Sequence, residues 1–185
     1  MRLIIAAILG GIAMFMWSAF SHLVLGVGEA SAVPPASEAA LVAALKTNVS
    51  EPGFYIVPGM DMSRTPTAEE MAAWTAKYKE GPNAILIYHP DGAEAMTPTQ
   101  LGTELASNVL VAFLVGMVLS LAPVGFVRGT IISTLIGLAG WSAIEISYWT
   151  WFRFPVGFIR GELIDQGGGF FLTGIVVAFI LRKRN

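Results

Sequence analysis

From Leu3 to Val27 the chain runs without a single Asp, Glu, Lys or Arg. A helix needs about 20 mainly apolar residues to cross the roughly 30 Å hydrocarbon layer of a bilayer. A run of this length therefore limits the fold more than any other feature. Ala30-Ser31-Ala32 is shaped like a signal-peptidase site, but the apolar part of a signal peptide spans only about 7–15 residues. The longer run predicts a retained transmembrane helix over 1–27. Composition agrees: 55% of the residues are hydrophobic and 13% charged, against about 25% charged in a typical soluble domain. Three further apolar segments, at about 105–124, 130–151 and 158–181, fill 104–185 together with a basic C-terminus. The expected fold class is an integral membrane protein, mainly α. It has four transmembrane helices, with a small α/β extracytoplasmic cap inserted between the first and the second.

That cap, 28–103, is different in kind. It is polar, rich in proline and acidic: Glu29, Glu38, Glu51, Asp61, Glu69, Glu70, Glu80, Asp91 and Glu94 face only Lys46, Arg64, Lys77 and Lys79. Ser37 can cap a short helix through Thr47. A second helix, to about Lys79, starts at Thr65 before Pro66, or at Thr67 with Glu70 three residues on. Two β-like runs, 53–57 and 84–88, stop at or just before Pro58 and Pro90. Trp74 and Tyr78 lie on one helix face and are expected to form one small core with the strands. A two-stranded sheet is marginal alone, so the cap is expected to lean on the membrane helices or on a partner. Thr97-Pro98-Thr99-Gln100 reads as a capping box that opens the second span.

Orientation follows from the basic residues near the span ends. Arg2, Arg128, Arg182, Lys183 and Arg184 gather on one side, and Arg153 and Arg160 on the other. The excess favours both termini in the cytoplasm. Localisation in a bacterial inner (cytoplasmic) membrane is the matching expectation.

Polar groups inside apolar segments concentrate between Trp141 and Gln166. Trp141, Glu145, Tyr148 and Phe152 fall on one face of the third span. Glu145 lies only a turn or two inside the boundary, where a carboxylate facing lipid costs several kcal/mol. It is expected to face protein and to pair with His22, Arg153 or Arg160. With Glu162 and Asp165 these residues form the candidate intramembrane network, most simply an ion-pair and hydrogen-bond cluster that fixes the hairpin. A proton or ligand site is the sharper alternative. A metal site from His22, Glu145 and Glu162 has no ligand spacing behind it. Trp141, Tyr148, Trp149, Trp151, Phe152 and Phe154 make a candidate interfacial belt, or a docking surface for another membrane subunit. Small residues four apart, Ala6 with Gly10, Ala7 with Gly11, Gly125 with Gly129 and Gly157 with Gly161, suit close helix packing. Gly167, Gly168 and Gly169 do the same, or else leave bare backbone for a pigment.

Several classes of chemistry have no residues here. The chain has no cysteine, which removes disulfides, thiolate metal sites and cysteine nucleophiles. It holds no phosphate-binding glycine loop, no nucleophile elbow, no His-x-x-x-His pair and no basic patch for nucleic acid.

The stretches GPNAILIYHPDG, TPTQLGTELASNVLVAFL and ISYWTWFRFPVGFIRGELIDQGGGFFLTGIVVAFI resemble a family of small four-helix bacterial inner-membrane proteins with an extracytoplasmic segment after the first helix. The resemblance covers most of the chain. It implies the topology and carries no chemistry, so no functional residue comes from it.

The expected function is non-catalytic: an accessory, scaffold or assembly subunit of a larger inner-membrane complex, for example a respiratory or photosynthetic one. The partners would be membrane lipids and other integral membrane subunits. No cofactor is expected, although a bound lipid or pigment is compatible. One alternative is a membrane protein that binds lipid, pigment or another small hydrophobe. Another is a proton- or ion-linked transporter centred on Glu145.

Overall fold

The computed structural model describes residues 1–28, 31–121 and 123–182. Lys183 and Arg184, which enter the orientation argument, and Ala30 of the cleavage-like triplet lie outside these residues. The elements in order are α1 (Arg2–Leu23), α2 (Glu38–Asn48), β1 (Gly53–Val57), α3 (Ala68–Glu80), β2 (Ala84–Tyr88), α4 (Pro98–Ser120), α5 (Phe126–Phe152) and α6 (Val156–Leu181). They divide into two units, Met1–Val33 with Met96–Asn185, and Pro34–Ala95. The helical unit takes in the residues after Ala95 because α4 already begins at Pro98.

Four helices, α1, α4, α5 and α6, are long and apolar enough to cross a membrane. At about 1.5 Å per residue, the shortest of them is about 33 Å long. They form an up-and-down bundle. α6 packs against α5 and α1, and α1 packs also against α4. Small residues let the backbones approach. A Cβ on Gly11 would come within 2.5 Å of Val109 Cα, and one on Gly10 within 2.8 Å of Val177. Gly129 meets Ala178 and Gly174 meets Ser133 in the same way on the α5–α6 side. Around these seams lies the core of Ala6, Ala112, Val115, Leu119, Val177 and Ala178. Hydroxyls serve as glue between helices: Ser133 donates to Phe170 O at 2.7 Å and Thr173 to Gly10 O at 3.3 Å. The outward side chains include Ile4, Ile8, Leu110, Leu114, Leu135 and Phe179, all exposed.

Two ends can be distinguished. At the head end lie Leu23, Pro98, Phe152 and Val156. At the tail end lie Arg2, Ser120, Phe126 and Leu181. The Thr97 capping box is formed: Thr97 accepts from Gln100 N–H and its own N–H donates to Gln100 Oε1 at 2.7 Å. At the tail, the Arg2 guanidinium donates to the carbonyls of Ile180 and Arg182, which would otherwise be orphans of the helix C-terminus. Arg128 falls between the second and third apolar segments of the sequence, 105–124 and 130–151. It sits in the first turn of α5, because Gly125 takes the N-cap and the helix starts at Phe126.

In the second unit β1 and β2 pair antiparallel, with Phe54 opposite Ile87 and Ile56 opposite Ile85. Opposed residues share a face, so one sheet face is wholly apolar. Thr67, not Thr65, caps α3. Its side chain accepts from Glu70 N–H, and Glu70 accepts from Thr67 N–H at 2.8 Å. Arg64 donates two bonds to the same carboxylate, at 2.5 and 2.9 Å. The Arg64 guanidinium first, and then the Thr67 N–H, hold Glu70 down at about 2. Trp74 donates to Pro58 O at 3.0 Å and its ring lies 5.0 Å from that of Tyr78. Trp74, Tyr78 and the end of β1 thus meet as expected, but the small core stays half-buried: no residue of 34–95 is fully buried. Two short strands and two short helices have too little surface to enclose an interior.

Candidate functional site

The polar residues of the head end fall into two groups, one on each side of α6. On the α5 side, Trp141 Nε1 donates to Ile159 O at 3.0 Å and pins the two helices together. One turn further along, Glu145 is 5% exposed, and its Oε2 has no hydrogen-bond partner among the described residues. Glu162 of α6 lies within electrostatic reach of it. The carboxyl therefore faces protein, but not the basic partner expected from the sequence. Among the described residues Arg64 pairs with Glu70, and the His22 ring, an ion-pair partner only when protonated, stands beside Asp165. Arg153 and Arg160 are both exposed. The chain leaves α5 through Arg153 in the left-handed conformation, φ 58°, and α6 starts only three residues later.

On the α1 side, Asp165 is the hub. Trp17 Nε1 donates to its backbone carbonyl at 2.9 Å. The buried hydroxyl of Ser21 reaches both Asp165 Oδ1 and Ser18 O. His22 Nε2 stands 4.0 Å from Asp165 Oδ2. The connection after α1 presses on the first turns of α6. A Cβ on Gly161 would strike the Val27 carbonyl, and one on Gly157 the Ser31 hydroxyl. Both glycines thus lie in the first turns of α6, where the connection after α1 comes close.

Between α1, α4 and α6 this group opens onto a cavity of about 250 Å³. Its lining includes Trp17, Glu104, Asn108, Glu162, Asp165 and Phe170 and, among the described residues, no Lys or Arg. Asn108 is 6% exposed, and its Nδ2 has no hydrogen-bond partner among the described residues. Neither Glu104 nor Asn108 stood out in the sequence. The available signal was their i, i+4 spacing at the opening of an otherwise apolar helix, which puts both on one face. A larger cavity of about 650 Å³ at the tail end, between α4, α5 and α6, has Arg182 as the charged residue among its described lining residues.

The aromatic residues form a connected cluster. Tyr148 stacks on Phe154 at 5.2 Å and meets Phe152 edge-on at 6.0 Å, and Phe154 contacts Phe158 at 5.1 Å. Trp149 and Trp151 point away, the latter 74% exposed. Trp141 stands apart from the belt, since its indole is used between helices. The glycine triplet lies in the middle of α6. Gly168 is covered by the Trp17 indole and Gly169 by Met14, while Gly167 has only Leu138 near it, at 3.8 Å. The chain's own side chains thus fill the space over Gly168 and Gly169.

Chemically, the arrangement can bind and orient a polar or cationic group, or hold a proton on a buried carboxyl. Among the described residues no three His, Asp or Glu side chains come close enough to hold a metal ion. No family model, no curated protein and no solved structure matches the chain.

Proposed function

We propose that this chain is a non-catalytic accessory, scaffold or assembly subunit of a larger bacterial inner-membrane complex, with four membrane-crossing helices and both termini in the cytoplasm. One observation supports this reading most. The unit 34–95 buries none of its residues, yet one face of its sheet carries Phe54, Ile56, Ile85 and Ile87, with Phe54 60% and Ile87 69% exposed. Apolar faces of this kind are normally covered, and a two-stranded sheet gains independent stability only by packing on something else. The exposed Trp149 and Trp151 at the head end fit the same role, since aromatic residues are enriched at both membrane and protein interfaces.

A second reading rests on Glu145. A buried carboxyl without a partner inside an apolar helix is a default candidate for proton or ion transfer. Four helices without an internal repeat are few for a transporter, so it ranks below the first.

Native mass spectrometry of the protein, extracted gently from its own membrane, tests the proposal. The expected result is an assembly well above 19.7 kDa that contains other integral membrane chains and loses them when Phe54 and Ile87 are both changed to Ser. A species of 19.7 kDa carrying lipid alone would contradict it.

A further inference from the structure

The tail end of the bundle carries positive charge without an acidic side chain to match it. No Asp or Glu occurs at 1–28, 105–144 or 166–185, so the tail halves of all four membrane-crossing helices hold none. Arg2, Arg128 and Arg182 lie there and make no ion pair among the described residues. Lys183 and Arg184 follow in the sequence.

Two of these arginines are held in place. The Arg2 guanidinium donates through one terminal nitrogen to the carbonyls of Ile180 and Arg182. A guanidinium has five N–H donors, so the other two nitrogens keep theirs for a further acceptor. The Arg182 guanidinium lies 4.0 Å from the centroid of the Phe179 ring, a cation–π contact that fixes the group. Neither contact supplies a negative charge. Both guanidinium groups, with Phe179 and Ile180, line one open cavity of about 440 Å³. Two like charges at one cavity repel, and an anion between them removes that cost. Arg182 also lines the larger cavity of about 650 Å³, whose walls include Leu119, Val124, Phe126 and Leu181. Phe126 of the larger cavity and Phe179 of the smaller meet edge-on at 6.4 Å. A cationic site thus borders an apolar one at the end of the bundle.

We infer that the tail end binds an anionic glycerophospholipid, its phosphate between Arg2 and Arg182 and one acyl chain along the apolar wall of the larger cavity. Guanidinium groups match phosphate oxygens in geometry as well as in charge. Basic pockets between membrane helices bind such headgroups at the cytoplasmic side, the side proposed for the tail. A free phosphate would leave the apolar cavity unfilled. The inference rests on the bundle crossing a membrane and not on the subunit role.

Native mass spectrometry of the full chain, stripped of lipid in detergent, tests it. Dioleoyl phosphatidylglycerol and dioleoyl phosphatidylcholine are added at equal concentration. Phosphatidylglycerol should be retained roughly tenfold more, the effect of one or two arginines beside an anionic headgroup. Arg182 is exposed, so Arg182→Gln should keep the fold and weaken phosphatidylglycerol binding by roughly fivefold. Arg2→Gln should weaken it as much, with the thermal midpoint reporting whether the bundle survives loss of the contact to α6. Arg160→Gln, at the exposed head end, should leave binding unchanged. Equal retention of the two lipids overturns the inference. Phosphatidylglycerol binding that is undiminished in Arg182→Gln, or diminished as much in Arg160→Gln, overturns the site. Displacement of the lipid by an equal concentration of glycerol 1-phosphate, which has no acyl chain, overturns the assignment to a lipid.

Discussion

Glu145 and Glu70 show how differently one residue type behaves in the two units. Glu70 sits on the outside of α3 and is held by Arg64 and the Thr67 N–H, so its carboxyl titrates at about 2 instead of 4.5. Its folded pKa is depressed. Its contribution to stability is therefore complete above about pH 4.5 and is lost as the pH falls towards 2. A carbon-detected NMR titration of the Glu70 carboxyl should show a midpoint near 2. In Glu70→Gln the α3 amide shifts should no longer respond in that window. A midpoint near 4.5 would show that the cap is not formed in solution.

Glu145 has the opposite problem. It is buried, and Oε2 has no partner among the described residues. Removing such a group relieves a cost of about 1–3 kcal/mol. Glu145→Leu should therefore raise the thermal midpoint of the purified protein in detergent, by an amount matching that cost. A lower midpoint would mean that the carboxyl is satisfied in the folded protein. The sequence made the position of Glu145 legible, because an acid in an apolar helix must turn inward. It did not reveal the partner. His22 and Glu145 are both polar residues at the head end, but α6 stands between α1 and α5, and His22 meets Asp165 first.

At the scale of elements, the helices were readable because length and apolar content decide them almost alone. The capping boxes at Thr67 and Thr97 were readable because three-residue spacing suffices. Packing was less so. Ala6, Ala7, Gly10, Gly11 and the glycine triplet all signalled close approach, but periodicity cannot tell which small residue meets which neighbour. The structure separates them. Gly161→Ala drives a methyl into the Val27 carbonyl and Gly168→Ala into the Trp17 indole, while Gly167→Ala meets only Leu138 at 3.8 Å. The first two should destabilise the bundle by about 1–3 kcal/mol, the usual cost of overpacking. The third should be neutral or gain up to about 1 kcal/mol from helix propensity. Thermal unfolding of the three variants in one detergent checks the ranking, and equal effects would mean that α6 is not packed on α1 in this register. Asn108 and Glu104 went unnoticed for a related reason. Their meaning lies in a cavity shared by three helices, and no single stretch of sequence contains it.

For the whole molecule, the account requires that the bundle crosses a membrane, with its head and tail ends on opposite sides. The polar head group, the aromatic cluster beside it and the basic tail acquire their proposed roles only in that arrangement. The chain has no cysteine, so single cysteines can report each side without background. Leu121, 85% exposed in the α4–α5 connection, marks the tail end, and Asp91 marks the segment inserted between α1 and α4. In intact bacterial cells a membrane-impermeant maleimide should label Asp91→Cys at once and should label Leu121→Cys only after the membrane is permeabilised. Labelling of both positions in intact cells, or of Leu121→Cys alone, would contradict the account.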